Sequence, residues 1–446
     1  MTRRPGLPRL PDFSDRKVVD RHMERLDTGG VSRRDFLALA SAGAAAAAGA
    51  AALGLPNVAV AAPSGKLAFL TAYYRNEYNA IADKAFDAAT KALGISYTVL
   101  DGNFDSQLQL NQFEQQAVAG TTAAIFNLAD GSAIRRIAKT ASANKIFVGN
   151  VWGTLAWYTP FDADEYYTLY AVPDEVAAHR GVTRELLKTV TEKLGGGDII
   201  GVTGVPGHLT DISRSRGRDE AFKEYPKTRL VGELPGKWNR EDSLKATEDL
   251  LTRHKNVVGV VAQNDDVAQG VLAALRAAGI VPGKDVYVVG ADGTSNAARA
   301  IEAGQQLATS ANSPAYAAGL FTARIYDVTH GWVPRASERL QYWRSITTTK
   351  SNVNAYLERY VDNKGVDPFD YRRISKVLHP ADWDPQAEIT PLDIDHEWGP
   401  VAKPEGWSYP KAYLDAKKNG EWEKVTAEYA EHYKIKFDGP SPVKPA

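Results

Sequence analysis

The sequence predicts an α/β protein of two doubly wound parallel-sheet lobes with a C-terminal extension. Three observations carry that expectation. Ten short runs rich in Val, Ile and Leu recur between residues 67 and 311, separated by stretches of helix length. Strands of this kind, alternating with amphipathic helices, are the signature of parallel sheets covered on both faces. Ten strands exceed one comfortable sheet, so they divide between two lobes. Around Val333 the alternation stops, and residues 345–446 become richer in Pro, Trp, Tyr and charge.

In chain order the expected strands are Leu67–Thr71, Ser96–Leu100, Ala123–Leu128, Ile146–Asn150, Thr168–Val172, Ile199–Thr203, Arg229–Leu234, Val257–Ala262, Val286–Gly290 and Leu307–Ala311. Between them, helical patterning marks Ala80–Leu93, Gln107–Ala119, Glu175–Leu194, Ser243–Arg253, Val267–Ala278 and Tyr316–Val328. In the extension, Asn352–Tyr360, Tyr409–Lys417 and Glu421–Tyr433 read as helices. Its rings, among them Trp383, Trp398, Trp407 and Trp422, would form large apolar patches in water, so the extension is expected to pack on the lobes. The first lobe is the expected seat, which would leave a hinge free.

Composition excludes whole classes of function. The chain has 446 residues, 44% hydrophobic and 24% charged, as in ordinary soluble domains. Lys and Arg number 53 against 54 Asp and Glu, so no basic surplus calls for nucleic acid. There is no cysteine, which removes disulfides, thiolate metal sites and a cysteine nucleophile together.

The first sixty residues read as an address. A basic stretch leads to Ser32-Arg33-Arg34-Asp35-Phe36-Leu37, an Ala/Gly/Leu-rich run follows to Leu55, and Ala59-Val60-Ala61 offers small residues for cleavage. That order defines an export signal, and the paired arginines resemble the twin-arginine type. Residues 1–61 are therefore expected to be removed, with both methionines, Met1 and Met23. The remaining chain would act in the periplasm.

In open parallel sheets ligands bind beyond the carboxyl ends of the strands. The residues there are Tyr73 to Tyr78, Asn150-Val151-Trp152, Ser213 to Gly217, Gly236 to Arg240, Ala262 to Asp266 and Gly290 to Thr294. Flat aromatics, carboxylates, carboxamides and guanidinium groups suit a sugar or polyol. Ring faces cover patches of C–H, while Asp, Asn and Arg meet hydroxyls that donate and accept at once.

Ala262-Gln263-Asn264-Asp265-Asp266, followed by Val288-Val289-Gly290-Ala291-Asp292-Gly293-Thr294, resembles the ribose-binding-protein group of type I periplasmic binding proteins. Ser213-Arg214-Ser215-Arg216-Gly217 and the strand opening at Leu67 align with that group in order and spacing. The resemblance covers about Lys66 to Gln341. It implies a three-crossing hinge, with crossings near Val172, Asn312 and Gln341. Residues 62–172 and 313–344 would form the first lobe, 173–312 the second, and 345–446 the extension. It also implies sugar contacts from Asn76 and Tyr78 on the first lobe and from Arg214, Trp238, Asn264 and Asp292 on the second, with Asn312 at a crossing. The group's Asp-Arg pair after the fourth strand is replaced by Val151-Trp152, so Trp152 is the expected substitute there. Several of these residues also fit plainer roles. Asn264 could cap the helix that follows it, Asp292 could shape a turn, and Asp265 is left out of the site as a first-turn residue.

The function implied is capture of a sugar or polyol and delivery to a membrane ABC permease, by a monomer that uses neither metal nor cofactor. A chemoreceptor is a further possible partner. The alternative is an exported carbohydrate-active enzyme, against which stands the lack of a convincing acid/base pair. A regulator of the lactose-repressor type would need a DNA-binding helix-turn-helix where the export signal stands. Asp393, Asp395, His396 and Glu397 lack a matching second cluster and read as a solvated loop.

Overall fold

The structure, a computed structural model, describes residues 65–444. The export signal and its cleavage site lie outside the described residues. The chain runs β1 (Lys66–Thr71), α1 (Glu77–Leu93), β2 (Ser96–Asp101), α2 (Ser106–Val118), β3 (Ala123–Asn127), α3 (Ile134–Asn144), β4 (Phe147–Val151) and β5 (Tyr167–Pro173). It continues with α4 (Glu175–Leu194), β6 (Gly197–Thr203), α5 (Leu209–Phe222), β7 (Thr228–Pro235), α6 (Arg240–Arg253), β8 (Val257–Ala262) and α7 (Asp265–Ala277). Then come β9 (Tyr287–Asp292), α8 (Ser295–Glu302), β10 (Ala308–Ala311), α9 (Pro314–Thr329), β11 (Leu340–Trp343) and β12 (Ile346–Thr349). Last are α10 (Val353–Tyr360), β13 (Ile389–Pro391), α11 (Ile394–Trp398), α12 (Lys411–Lys418) and α13 (Glu421–His432).

Two α/β lobes result, each with its own sheet. The first sheet has the order β13-β11-β5-β4-β3-β1-β2 and the second β12-β10-β9-β8-β6-β7. Pairing is parallel except at one edge of each sheet, where β13 lies antiparallel to β11 and β12 antiparallel to β10. All ten strands expected from the sequence are present. β11, β12 and β13 are additions that hydrophobic runs did not mark, being three or four residues long, with Thr347-Thr348-Thr349 polar and Pro391 ending the last.

Apolar side chains fill both faces of each sheet. On one face of the first sheet, Phe69, Ile125 and Leu169 meet Phe86 of α1 and Tyr316, Leu320 and Phe321 of α9. On the other, Leu70, Phe126 and Val148 meet Phe113 of α2 and Ile134 and Ile137 of α3. The extension enters both of these cores. Phe369, Trp383, Tyr429 and Phe437 join the first, and Trp398, Tyr413 and Trp422 the second. Burial of several large rings, at ~25 cal/mol per Å², makes this packing a major stabilising term.

The chain passes between the sheets after Pro173, after Ala311 and after Trp343. At the last two passages the indole N–H of buried Trp343 donates to the Asn312 carbonyl at 2.9 Å, binding one crossing to the next. The extension does not keep to the first lobe. β12 completes the second sheet, and Val353, Tyr356 and Leu357 of α10 pack with Ala298 and Ile301 of α8 and with Ala311. The physical reason is an open β10 edge beside an apolar α8 face, which β12 and α10 cover. The chain then returns to the first lobe by Phe369, a fourth passage between lobes.

Candidate functional site

A cavity of about 520 Å³ lies between the lobes, at the carboxyl ends of the strands. The first lobe lines it with Ala72, Tyr73, Asn76, Tyr78, Asn79, Phe104, Asn127, Leu128, Ala129 and Trp152. The second contributes Val205, His208, Thr210, Arg214, Lys237, Trp238, Asn239, Asp242, Asn264 and Asp292.

Its charged floor comes from the second lobe. Arg214 projects from the first turns of α5 and is 2% exposed. Its Nε and Nη2 donate to the two oxygens of Glu175 at 2.6 and 3.0 Å, in a bidentate pair. Nη2 also donates to Asp292 Oδ1 at 3.0 Å, and Nη1 to the Gln263 carbonyl at 2.5 Å. Burial works against the guanidinium charge, but the two carboxylates more than restore it and raise the Arg214 pKa. Asp292 ends β9 with a left-handed backbone, φ 110°, and Gly293 follows at φ 78°. A Cβ at residue 293 would collide with Ala311 and the Tyr356 hydroxyl, so the turn that presents Asp292 requires glycine. Burial pushes the Asp292 carboxyl up to about 6, with Arg214 pulling the other way.

Two carboxamides stand at helix starts. Asn264 caps α7, its Oδ1 accepting from Val267 N at 2.8 Å, and Asn76 caps α1, accepting from Asn79 N at 2.8 Å. Each oxygen is thus committed to a cap, and each side chain keeps its NH2 group as a donor beside the cavity. Aromatic walls line the cavity from the Arg214 floor outward. Tyr78 meets Trp152 edge-on at 5.8 Å, and Trp152 meets Trp343 at 6.3 Å. The Arg214 guanidinium lies 5.8 Å from the Trp152 ring and 5.7 Å from the Trp238 ring, so it bridges a wall from each lobe. Trp238 lies against Gly204, where a Cβ would collide with the ring. His208 meets Trp238 edge-on at 6.1 Å, and burial holds its pKa down to about 4, leaving the imidazole neutral at pH 7.

Of the residues expected to touch the ligand, Asn76, Tyr78, Trp152, Arg214, Trp238, Asn264 and Asp292 all line this cavity. Asn312 does not. It is 1% exposed and sits behind Asp292, its Nδ2 3.4 Å from Asp292 Oδ1, because the crossing it occupies is covered by Trp343. Asp265, left out of the site on sequence grounds, supports the turn below it. Its Oδ2 accepts from Gly293 N at 2.8 Å and Thr294 N at 2.9 Å, and its Oδ1 from Thr309 Oγ1 at 2.8 Å. Sequence reasoning missed Glu175, the main partner of Arg214, although it follows the first crossing directly. It also missed Phe104, which follows β2 as the other lining residues follow their strands.

The cluster at Asp393 to Glu397 is not a solvated loop. It forms α11, and Glu397 is buried, accepting from Tyr342 Oη at 2.6 Å and Tyr170 Oη at 3.3 Å. Trp398 anchors the segment in the core of the first lobe, which carries Glu397 inside with it.

Two α/β lobes linked by several chain crossings, with a polar and aromatic cavity between them, define a hinged ligand-binding protein. The chain belongs to the family described as periplasmic binding protein domain, whose model matches residues 67–329 and stops short of the extension. The D-allose-binding periplasmic protein of Escherichia coli is 31% identical over 240 residues, 52% of this chain and 74% of the relative. The ribose import binding protein of Salmonella typhimurium is 29% identical over 224 residues, 50% of this chain and 70% of that one. Among solved structures, a twin-arginine translocation pathway signal protein from Burkholderia phytofirmans superposes with a TM-score of 0.63 at 24% identity, covering 67% of this chain and 93% of that one. A solute binding protein from Mycobacterium smegmatis with bound glycerol gives 0.57 at 26% identity, covering 65% and 96%.

Proposed function

We propose that this protein is a periplasmic solute-binding protein that closes its two lobes on a sugar or polyol and delivers it to an ABC import permease. The observation that carries this reading is the cavity itself. The solved structures that superpose on this chain share its fold, and here the space between lobes combines the Asp292 carboxylate, the Asn76 and Asn264 amides and the Trp152 and Trp238 rings. That is the chemistry of hydroxyl recognition with apolar stacking. Relatives named for D-allose, ribose and xylitol support the same ligand class. Asn76, Tyr78, Trp152, Arg214, Trp238, Asn264 and Asp292 would contact the ligand, and Asn312 would hold Asp292.

In this reading, ligand binding to one lobe shifts the population toward the closed form that the permease recognises. A chemoreceptor could read the same closed surface, and the protein would act as a monomer. Residues 1–61 would direct twin-arginine export, with cleavage near Ala61. Replacing Arg33 and Arg34 together by Lys should then leave precursor in the cytoplasm, and normal export would overturn that assignment.

A thermal-shift screen against pentoses, hexoses, polyols and inositols tests the function. A ligand present at about 100 times its Kd should stabilise the native state by roughly 2.7 kcal/mol. The absence of any shift across the screen would reject a sugar or polyol ligand.

A further inference from the structure

The cavity is larger than one sugar ring requires, and its outer half is built differently from its inner half. A hexose fills roughly 150–200 Å³ at the packing density of protein interiors, well under half of about 520 Å³. The charged and amide groups lie deep, with Arg214, Asn264 and Asp292 all below 10% exposure. The mouth is aromatic. Tyr73 stacks on Phe104 at 4.7 Å and an interplanar angle of 17°, and Phe104 is 56% exposed. On the opposite lobe the cavity is lined by half-buried Trp238, which extends outward from Arg214, and by Val205, 37% exposed.

The backbone shows that these positions are constructed. Asn103 and Phe104 are consecutive left-handed residues, at φ 48° and 58°, and on the facing lobe Lys237 and Trp238 are another such pair, at φ 50° and 62°. Left-handed backbone is costly for residues other than glycine and persists where the surroundings enforce it. The enforcement is visible. Asp101 Oδ1 accepts from Asn103 N at 2.8 Å and Tyr74 N at 3.2 Å, and Phe104 N donates to the Ala72 carbonyl at 2.7 Å. Across the cleft, Asn239 N donates to the Gly236 carbonyl at 3.1 Å. Two strained two-residue turns, one per lobe, thus deliver Phe104 and Trp238 to one cavity. Among the described residues that line the cavity, the cations Arg214 and Lys237 each have a carboxylate neighbour, Arg214 in Glu175 and Asp292 and Lys237 in Asp242 at 3.9 Å.

We propose that the outer half of the cleft is a second ring subsite, in which Tyr73 and Phe104 from one lobe and Trp238 from the other hold the second ring of a neutral two-ring saccharide. The first ring takes the inner site, so this inference rests on the sugar-binding reading. The second ring is held by C–H contact with aromatic faces.

Calorimetric titration of the purified protein tests this with matched probes: D-glucose, D-galactose and D-xylose against cellobiose, lactose and xylobiose, with D-allose, D-ribose and myo-inositol as further single-ring probes. At least one disaccharide should bind at least about tenfold more tightly than its monosaccharide, and Phe104→Ala should remove most of that difference while changing monosaccharide affinity less than about twofold. Phe104 is largely exposed, so its variant should melt with the wild type, and Tyr73→Leu provides a second variant of the same wall. Monosaccharide binding alone, equal in wild type and Phe104→Ala, would overturn the second subsite and leave the sugar-binding function standing. Failure of every probe in both groups would overturn both.

Discussion

Glu77, in the first turn of α1 on the first lobe, accepts a hydrogen bond from the Ser295 amide of the second lobe at 2.6 Å. Its other oxygen accepts from Asn296 Nδ2 at 2.6 Å. A carboxylate set against the first amides of α8 is favoured by their partial positive charge. The contact joins the two lobes close to the Asp292-Gly293 turn, and separation of the lobes there would break it. Glu77→Gln should weaken ligand affinity by roughly three- to tenfold, an effect of about 1 kcal/mol for a part-exposed charged hydrogen bond. The change should fall mainly on the dissociation rate, measured by stopped-flow fluorescence of the cleft tryptophans. An unchanged off-rate would remove Glu77 from the closing mechanism.

Asp292 and Arg214 predict different things when altered. Asp292→Asn should cost about 1.5–3 kcal/mol of ligand affinity, the scale of a charged hydrogen bond, with a small change in melting temperature. Because burial lifts the Asp292 carboxyl to about 6, wild-type affinity should fall as the pH drops below that value, while the Asn variant should be flat. Arg214→Ala is not a clean probe, because it leaves Glu175 buried without its bidentate partner. Loss of one partner from a buried pair costs about 3–5 kcal/mol of stability, so this variant should melt well below the wild type even without ligand.

Asn264→Ala is expected to lose both affinity and stability. The cap on α7 is worth about 1 kcal/mol, and its loss should lower the melting temperature of the ligand-free protein. Asn264→Ser keeps an oxygen for the cap and removes the amide donor, so it should restore stability without restoring affinity. Equal affinity for the Ser and wild-type proteins would show that the amide does not touch the ligand.

How far the sequence could be read depended on the kind of signal. β8, Val257–Ala262, is all apolar but for one glycine, and that kind of run marks a buried parallel strand without any partner in view. The cavity residues Asn264, Asp292 and Trp238 were visible because they stand at or just beyond strand ends, where the family resemblance implies sugar contacts. β12 was not, since Ile346-Thr347-Thr348-Thr349 becomes a strand only through the open β10 edge it pairs with. Glu175 marked only the start of a helix, and its role depends on Arg214, 39 residues away, arriving beside it. Long-range pairing of this kind leaves no local trace. The displacement of Asn312 from the cavity has the same cause, since Trp343 covers it from another crossing.

Glu397 should make stability depend on pH. Burial pushes its carboxyl up to about 7, with Tyr342 Oη pulling down and Asp174 pushing up, while His396 and Arg216 face it as cations when charged. An acid whose pKa is higher folded than unfolded stabilises the protein when protonated. Its contribution is full below the ordinary carboxylate range and is lost as the pH rises through about 7. Between about pH 5 and 8 the wild type should therefore lose on the order of 1–3 kcal/mol more than Glu397→Gln, which keeps a neutral group at that place. Urea unfolding of both proteins across that range checks the difference. Parallel curves would show that Glu397 is already ionised in the fold.

The extension should set both the stability and the ease of opening. It completes both sheets, places Trp383, Trp398 and Trp422 in the first lobe, and packs α10 on the second. Truncation after Thr349 would uncover those cores, so that variant should aggregate or melt far below the full chain. A smaller change separates the hinge from the core. The Tyr356 hydroxyl donates to the Gly293 carbonyl at 2.6 Å, next to Asp292, while Arg359 on the same helix donates to the Pro368, Phe437 and Gly439 carbonyls of the segment packed on the first lobe. α10 therefore grips both lobes at once. Any hinge rotation must bend the 361–368 link or carry this segment along. Tyr356→Phe removes one hydrogen bond of about 0.5–1.5 kcal/mol and keeps the ring in place. It should loosen the turn that holds Asp292, lowering affinity a few-fold while the melting temperature falls only slightly. If the affinity of Tyr356→Phe equals that of the wild type, the extension supports the lobes without reaching the site.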